Sequence, residues 1–309
     1  MTSRTLRSAM VAAAAARTAY GVLRARPPAG TATWTRTNHR GESVTLLAGP
    51  AVAIGGIAGA LASGASRRDR LAAVLAAGGA AAFGGYDDVA GDRGSTGFRG
   101  HLGALCKGEL TTGAVKLAGI GATGLAAALV ADGGSRRVSA ADRVINAALV
   151  AGSANLVNLF DLRPGRAIKV TALAGGLLAA APGGAAAVGA PVAAAAALLP
   201  EDLGEHAMLG DAGANALGAM LGVAAATTLR RRDRLAALSV IVGLTAASEF
   251  VSFTQVIERT GPLRWLDMLG RRPAGQATAQ RADPEAGVDG AGQQQGGRVS
   301  EITRLARAR

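Results

Sequence analysis

A single cysteine, Cys106, in 309 residues excludes an intramolecular disulfide and a thiolate metal cluster. Histidine is nearly as scarce, at His39, His101 and His206, so metal chemistry in this chain falls to oxygen ligands. Aromatic residues make up 3% and charged residues 17%, against about 25% charged in a soluble globular chain. Together with a mean hydropathy of +0.28, this excludes a disordered protein, a disulfide scaffold and an ordinary soluble enzyme. Lysine is also rare: Lys107, Lys116 and Lys169 stand among 33 basic residues. The remaining arginine gathers in short clusters between apolar stretches, as in Arg67-Arg68-Asp69-Arg70 and Arg230-Arg231-Arg232-Asp233-Arg234. That pattern suits loops at lipid headgroups and argues against nucleic acid as a partner, which would need one continuous basic face with stacking aromatics.

What the chain has in quantity is small apolar bulk: 45 glycines and long alanine runs. A membrane-spanning helix needs about 20 mostly apolar residues. Stretches 44–64, 68–86, 110–131, 141–159, 207–229 and 235–255 qualify. The stretch 166–200 is interrupted by Pro182-Gly183-Gly184 and reads as two short helices joined by a turn. Residues 5–24 read as a first span in preference to a signal peptide, since the apolar run continues to Val22-Leu23. The expectation is an all-α polytopic membrane bundle of about nine transmembrane helices over residues 1–269. Residues 270–309, rich in Gly, Gln, Ala and Arg, are expected to be a basic, disordered cytoplasmic tail. Counting crossings puts the polar stretches after 86, 159, 199 and 255 on one face, provided that 166–200 is two helices. The basic C-terminal segment tips that face towards the cytoplasm.

Acids that interrupt this apolar sequence carry the chemical signal. Asp87 and Asp88 close one stretch, Asp161 follows Asn155-Leu-Val-Asn158-Leu-Phe, and Asp211 opens another within Leu209-Gly210-Asp211-Ala212-Gly213. A charge inside a span costs about 2.5–3.5 kcal/mol on insertion scales, so such acids are functional-site candidates. Adjacent carboxylates stay ionised most easily beside a cation, and hard oxygen ligands from separate loops suit Mg²⁺ with substrate phosphates. Gly210 and Gly213 would let backbone N–H groups approach a phosphate at a helix start. Lys107, Arg163, Arg166 and Lys169 supply further anion-binding groups on the same face.

Taken in order, Asp87-Asp88, Asn155-Leu-Val-Asn158-Leu-Phe-Asp161 and Gly210-Asp211-Ala-Gly213-Ala-Asn215-Ala-Leu217-Gly218 resemble the three-motif pattern of polyprenyl-phosphate N-acetylhexosamine-1-phosphate transferases. This superfamily includes phospho-MurNAc-pentapeptide transferase and UDP-GlcNAc:undecaprenyl-phosphate GlcNAc-1-phosphate transferase. The resemblance covers roughly residues 44–270. It implies a multi-pass enzyme of the inner (plasma) membrane, acting on its cytoplasmic face in cell-envelope glycan synthesis. Its partners would be a polyprenyl phosphate, a UDP-linked sugar and membrane lipids, with a homodimer left open. By carry-over Asp211 is the first Mg²⁺ ligand, assisted by Asp88. Asp87 and Asp88 orient or deprotonate the lipid phosphate, and Asn158 and Asp161 lie at the nucleotide diphosphate. Lys107 is assigned to the lipid phosphate from its place in the loop between Asp87 and Lys116.

The chain also departs from the pattern. Pro164 stands where the family's central motif carries a second Asp, Ala214 replaces a hydroxyl residue, and the His-rich last loop of the muramoyl-pentapeptide enzymes is missing. In its place run Glu249–Arg259 and Leu263–Arg271, where Trp265 with its Leu and Arg neighbours reads as an interfacial helix. A catalytically inactive relative that binds polyprenyl phosphate or an envelope-assembly partner is the alternative reading. A small-residue-rich transporter is a third, but its acids should lie at the membrane midplane and not at one face.

Overall fold

The computed structural model describes residues 2–91, 111–133 and 138–273. Among these residues the chain forms helices α1 (Ser3–Ala25), α2 (Thr31–Trp34), α3 (Ala48–Ala62), α4 (Arg67–Ala90), α5 (Thr112–Asp132), α6 (Ala140–Phe160), α7 (Arg166–Ala179), α8 (Gly184–Leu203), α9 (Gly210–Thr228), α10 (Arg231–Ser248), α11 (Phe253–Arg259) and α12 (Gly261–Met268). A short antiparallel hairpin, β1 (Thr35–Thr37) and β2 (Ser43–Thr45), pairs Arg36 with Val44.

Hydroxyl side chains start several of these helices at the edge of an apolar run. Ser66 accepts from the Asp69 N–H at 3.1 Å, Thr111 from Ala114 at 3.1 Å and Ser139 from Asp142 at 3.0 Å. Each occupies one of the N–H groups that a helix start leaves without a partner.

Helix α9 is the centre of the bundle. Its residues from Ala212 to Ala225 are all buried, and it packs on α3, α4, α6 and α8. A helix buried on every side must present small residues wherever a neighbour's backbone comes close. Gly218 and Gly222 do this against α6: a methyl group at either would run into the backbone around Ser153 or Leu149–Val150. Around this core α1 packs on α3 and α8, α5 lies against α4 and α6, α7 against α8, and α10 against α6.

A helix lies in every stretch expected to span, and the 166–200 stretch does break, at residues 180–183 between α7 and α8. Nine transmembrane helices are nevertheless not what the structure supports. Among the described residues α5, α6 and α8 are long and apolar enough to cross a membrane; a fourth span exists only if α10 and α11 count as one despite a 96° bend. The reasons are physical. Helix α3 has 15 residues and α7 has 14, so each reaches about 20 Å of the ~30 Å hydrocarbon core. Helix α1 carries Arg4, Arg7, Arg17 and Arg24, and α4 begins with Arg67-Arg68-Asp69-Arg70 and ends on Asp87-Asp88.

The first residues of the 44–64 stretch belong to β2, not to a span. Thr45 joins the hairpin to the segment before α9: its carbonyl accepts from the Met208 N–H at 2.9 Å, and its N–H donates to His206 at 3.4 Å. The expected tail from 274 onwards lies outside the described residues.

Candidate functional site

The C-terminal ends of α4 and α6 and the N-terminal ends of α5 and α9 meet at one end of the bundle. The close approach of α4 to α9 depends on Gly84, where a side chain would strike the Asp211 carbonyl. One turn further on, Asp88 sits directly over the first turn of α9. Its Oδ1 accepts from the Asp211 N–H at 3.0 Å and its Oδ2 from the Ala212 N–H at 2.9 Å. A helix N-terminus favours an anion, and here the chain supplies its own. The sequence expectation of a phosphate at these amides is replaced by the Asp88 carboxylate, which is committed to capping α9. The Asp88 carbonyl in turn accepts from the Arg36 guanidinium, which fastens the hairpin to the same end.

Beside this cap, Lys116 of α5 stands between two carboxylates. Its Nζ lies 2.6 Å from Asp87 Oδ2 and 2.5 Å from Asp211 Oδ2. Thr112 lies close enough to Asp87, and Asn158 of α6 to the Asp211 side chain, to favour the ionised carboxylates, and Asn215 Nδ2 donates to the Asp211 carbonyl at 2.7 Å. Lys116 was not singled out as a site residue from the sequence. The signal was present nonetheless, because Lys116 is the only charged residue between Thr112 and Ala131.

Asp161 follows the last turn of α6 and is 9% exposed, with Oδ2 buried and without a hydrogen-bond partner among the described residues. Burial pushes its carboxyl well above the usual range, and the charges of Asp202, Asp211 and Asp88 push the same way. A cavity of about 20 Å³, large enough for one water, is lined by Asp161 together with Asn38, His39, Arg163, Asp202 and Glu205. Asp202 Oδ2 accepts from the Gly165 N–H at 2.7 Å, which fixes the turn between α6 and α7. Glu205 is 2% exposed and is held by Asn38 Nδ2 at 2.9 Å and Arg40 Nε at 2.8 Å.

The remaining candidates divide plainly. Arg163 lines the cavity, and its Nη1 donates to the Leu162 carbonyl at 3.1 Å. Arg166 is 4% exposed and closes a two-pronged ion pair with Asp267 of α12, at 2.8 and 3.1 Å. Lys169 Nζ donates to the Asp267 carbonyl at 2.7 Å. Arg166 and Lys169 therefore hold the C-terminal helices in place. Gly213 is buried where α9 crosses α3, and a methyl there would lie 2.7 Å from the Gly49 Cα. Its smallness serves helix packing, not phosphate approach. Lys107 lies outside the described residues.

Among the described residues no three acidic, His or Cys side chains converge into a complete metal-ligand set. The donor chemistry still fits Mg²⁺, which keeps several waters and takes one or two carboxylates with substrate phosphates. Asp87 and Asp211 face each other across the Lys116 ammonium, and these two carboxylates are the ones that could take such an ion. No protein-family model matches the chain, and neither does any curated protein.

Proposed function

We propose that the protein transfers a sugar-1-phosphate from a UDP-sugar to a polyprenyl phosphate, releasing UMP, in a Mg²⁺-dependent reaction at the membrane surface. The observation that carries this reading is that Lys116 stands between Asp87 and Asp211 at one end of an apolar bundle, where Asp88 caps the same helix start and the buried Asp161 carboxyl feels the charges of Asp211 and Asp88. Acids are costly in so apolar a chain, and a reaction between two phosphates gives them a use.

In the proposed reaction an oxygen of the lipid phosphate bonds to the β-phosphorus of the nucleotide sugar. The bond from that phosphorus to the bridging oxygen breaks, and UMP leaves with the electron pair. Mg²⁺ bound by Asp87 and Asp211 would neutralise charge on the reacting phosphates. The ammonium of Lys116 adds a second positive charge beside the same carboxylates. Asn158 offers an amide next to Asp211. Asp161, kept towards its neutral acid form by burial, can donate a hydrogen bond to a phosphate oxygen without adding negative charge.

A second reading, an inactive relative that binds polyprenyl phosphate, is favoured by a different observation. Lys116 already fills the space between Asp87 and Asp211, and both Asp88 oxygens are taken by α9. The test is UMP release by purified protein given undecaprenyl phosphate, Mg²⁺ and a panel of UDP-sugars, with Asp211→Asn as control. Lipid- and Mg²⁺-dependent UMP that disappears in the variant supports the transferase. Lipid binding without UMP from any donor supports the inactive relative.

A further inference from the structure

The segment after α10 takes no part in the carboxylate site, yet the fold holds it firmly. Helices α10 and α11 meet at 96°, so α11 turns off nearly at right angles to the α10 axis, and α12 follows it after Thr260. Phe253 of α11 stacks on Phe160 at the end of α6, with ring centroids 5.0 Å apart and planes 15° from parallel. Thr254 accepts from Arg166 Nη1 at 3.0 Å, and Asp267 of α12 is 6% exposed in its pair with Arg166. Arg271 Nη1 reaches the same carboxylate at 2.8 Å. Contacts of this kind fix a surface in one orientation.

The face turned outward is apolar and cationic. Gly261, Arg264, Trp265 and Met268 follow helical spacing along α12, and with Leu269 and Gly270 they form a shallow outward-facing surface. Trp265 is 67% exposed, and Phe250 and Val251 at the bend are exposed as well. Among the described residues no carboxylate belongs to this surface, because Asp267 points inward to Arg166. Among the described residues Arg264 has no ion-pair partner. A tryptophan beside an arginine on an outward apolar stripe matches the chemistry of the headgroup–acyl boundary, where an amphipathic helix lies flat and an anionic headgroup meets the guanidinium.

We propose that α11 and α12 form a rigid arm that rests on the surface of a bilayer. Trp265, Met268 and Leu269 dip into the acyl boundary, and Arg264 holds the phosphate of an anionic phospholipid. This inference rests on the reading that α5, α6 and α8 lie in a membrane, but not on any catalytic activity. Through the Arg166–Asp267 pair the arm is joined to the start of α7, so bilayer contact would also steady the Asp161–Gly165 turn.

The test uses the full chain carrying Trp34→Phe, which leaves Trp265 as the sole tryptophan, reconstituted in vesicles. One set is phosphatidylcholine and the other equimolar phosphatidylcholine and phosphatidylglycerol, each with and without lipids brominated near the top of the acyl chain. Flotation of the protein with the vesicles checks the membrane reading separately. The expected result is quenching of Trp265 by the bromolipids and severalfold weaker quenching by aqueous acrylamide than in detergent-free unfolded chain. The bromolipid effect should be stronger with phosphatidylglycerol, and Arg264→Gln should remove that difference. Protein that floats but whose Trp265 is untouched by bromolipid would overturn the proposal, whether acrylamide reaches the ring or a protein partner or second copy covers it. If Trp34→Phe does not fold, the difference between wild type and Trp265→Phe gives the same comparison.

Discussion

Lys116 decides how the candidate site behaves without substrate. Its ammonium separates the Asp87 and Asp211 carboxylates, and all three side chains keep only 15–24% of their surface exposed. Lys116→Met should lower stability in chelator by about 1–3 kcal/mol, below the cost of breaking a fully buried pair because water still reaches these groups. Millimolar Mg²⁺ should restore more of the melting temperature in this variant than it adds to wild type. A melting curve that Mg²⁺ leaves unmoved would argue against a cation at this position. Asp88 makes a separate prediction. Asp88→Ala removes the anion from the start of α9 and should cost about 1–2 kcal/mol in denaturant unfolding, whether or not Mg²⁺ is present. Asp88, Asp161 and Asp211 were legible because acids stand out in apolar sequence. Their division of labour was not, since only the approach of α4 to α9 reveals that Asp88 is a cap.

At the scale of the element, the crossing of α9 and α6 is the most sensitive contact. Gly222→Leu places a branched side chain against the backbone around Val150 and should cost about 3 kcal/mol or more, seen as aggregation on size-exclusion chromatography. The attachment of α12 should depend on pH. Burial alone would push the Asp267 carboxyl up, but the hydrogen bonds and charge of Arg166, reinforced by Arg271 and Lys169, hold it below the usual range. A carboxyl with a lowered folded pKa contributes fully above its ordinary value of about 3.9 and loses that contribution as pH falls through the folded value. Amide exchange across residues 253–269, corrected for intrinsic rate, should therefore accelerate only under acid conditions. Asp267→Asn should show the faster exchange already at neutral pH. Exchange in the variant indistinguishable from wild type would mean that the Arg166 pair does not hold the arm. Arg166 stood out in the sequence only as an anion-binding group, and its pairing with Asp267 was not legible because 101 residues separate the two.

For the whole molecule, apolar runs and their Gly-Pro breaks were enough to locate the helices of the bundle. They were a poor guide to how many cross a membrane. Helix α9 is apolar because it lies at the centre of the protein, and α3 and α7 are too short to span the hydrocarbon core. Periodicity does not distinguish burial by protein from burial by lipid when both faces are Ala and Gly. The hairpin Thr35–Thr45 escaped for the opposite reason: strands of three residues leave almost no pattern, and this one is defined by its pairing with Met208 and His206. The polar end of the bundle, built from five chain segments, is what the functional reading rests on. Its most direct test follows the phosphorus. Protein in mixed micelles with undecaprenyl phosphate and Mg²⁺ would be given UDP-sugars labelled at the β-phosphate. The account predicts label in the lipid phase as a sugar-bearing diphosphate, absent with chelator and absent in Asp211→Asn. Label that stays in the aqueous phase with every donor, while the protein still binds the lipid, would contradict it.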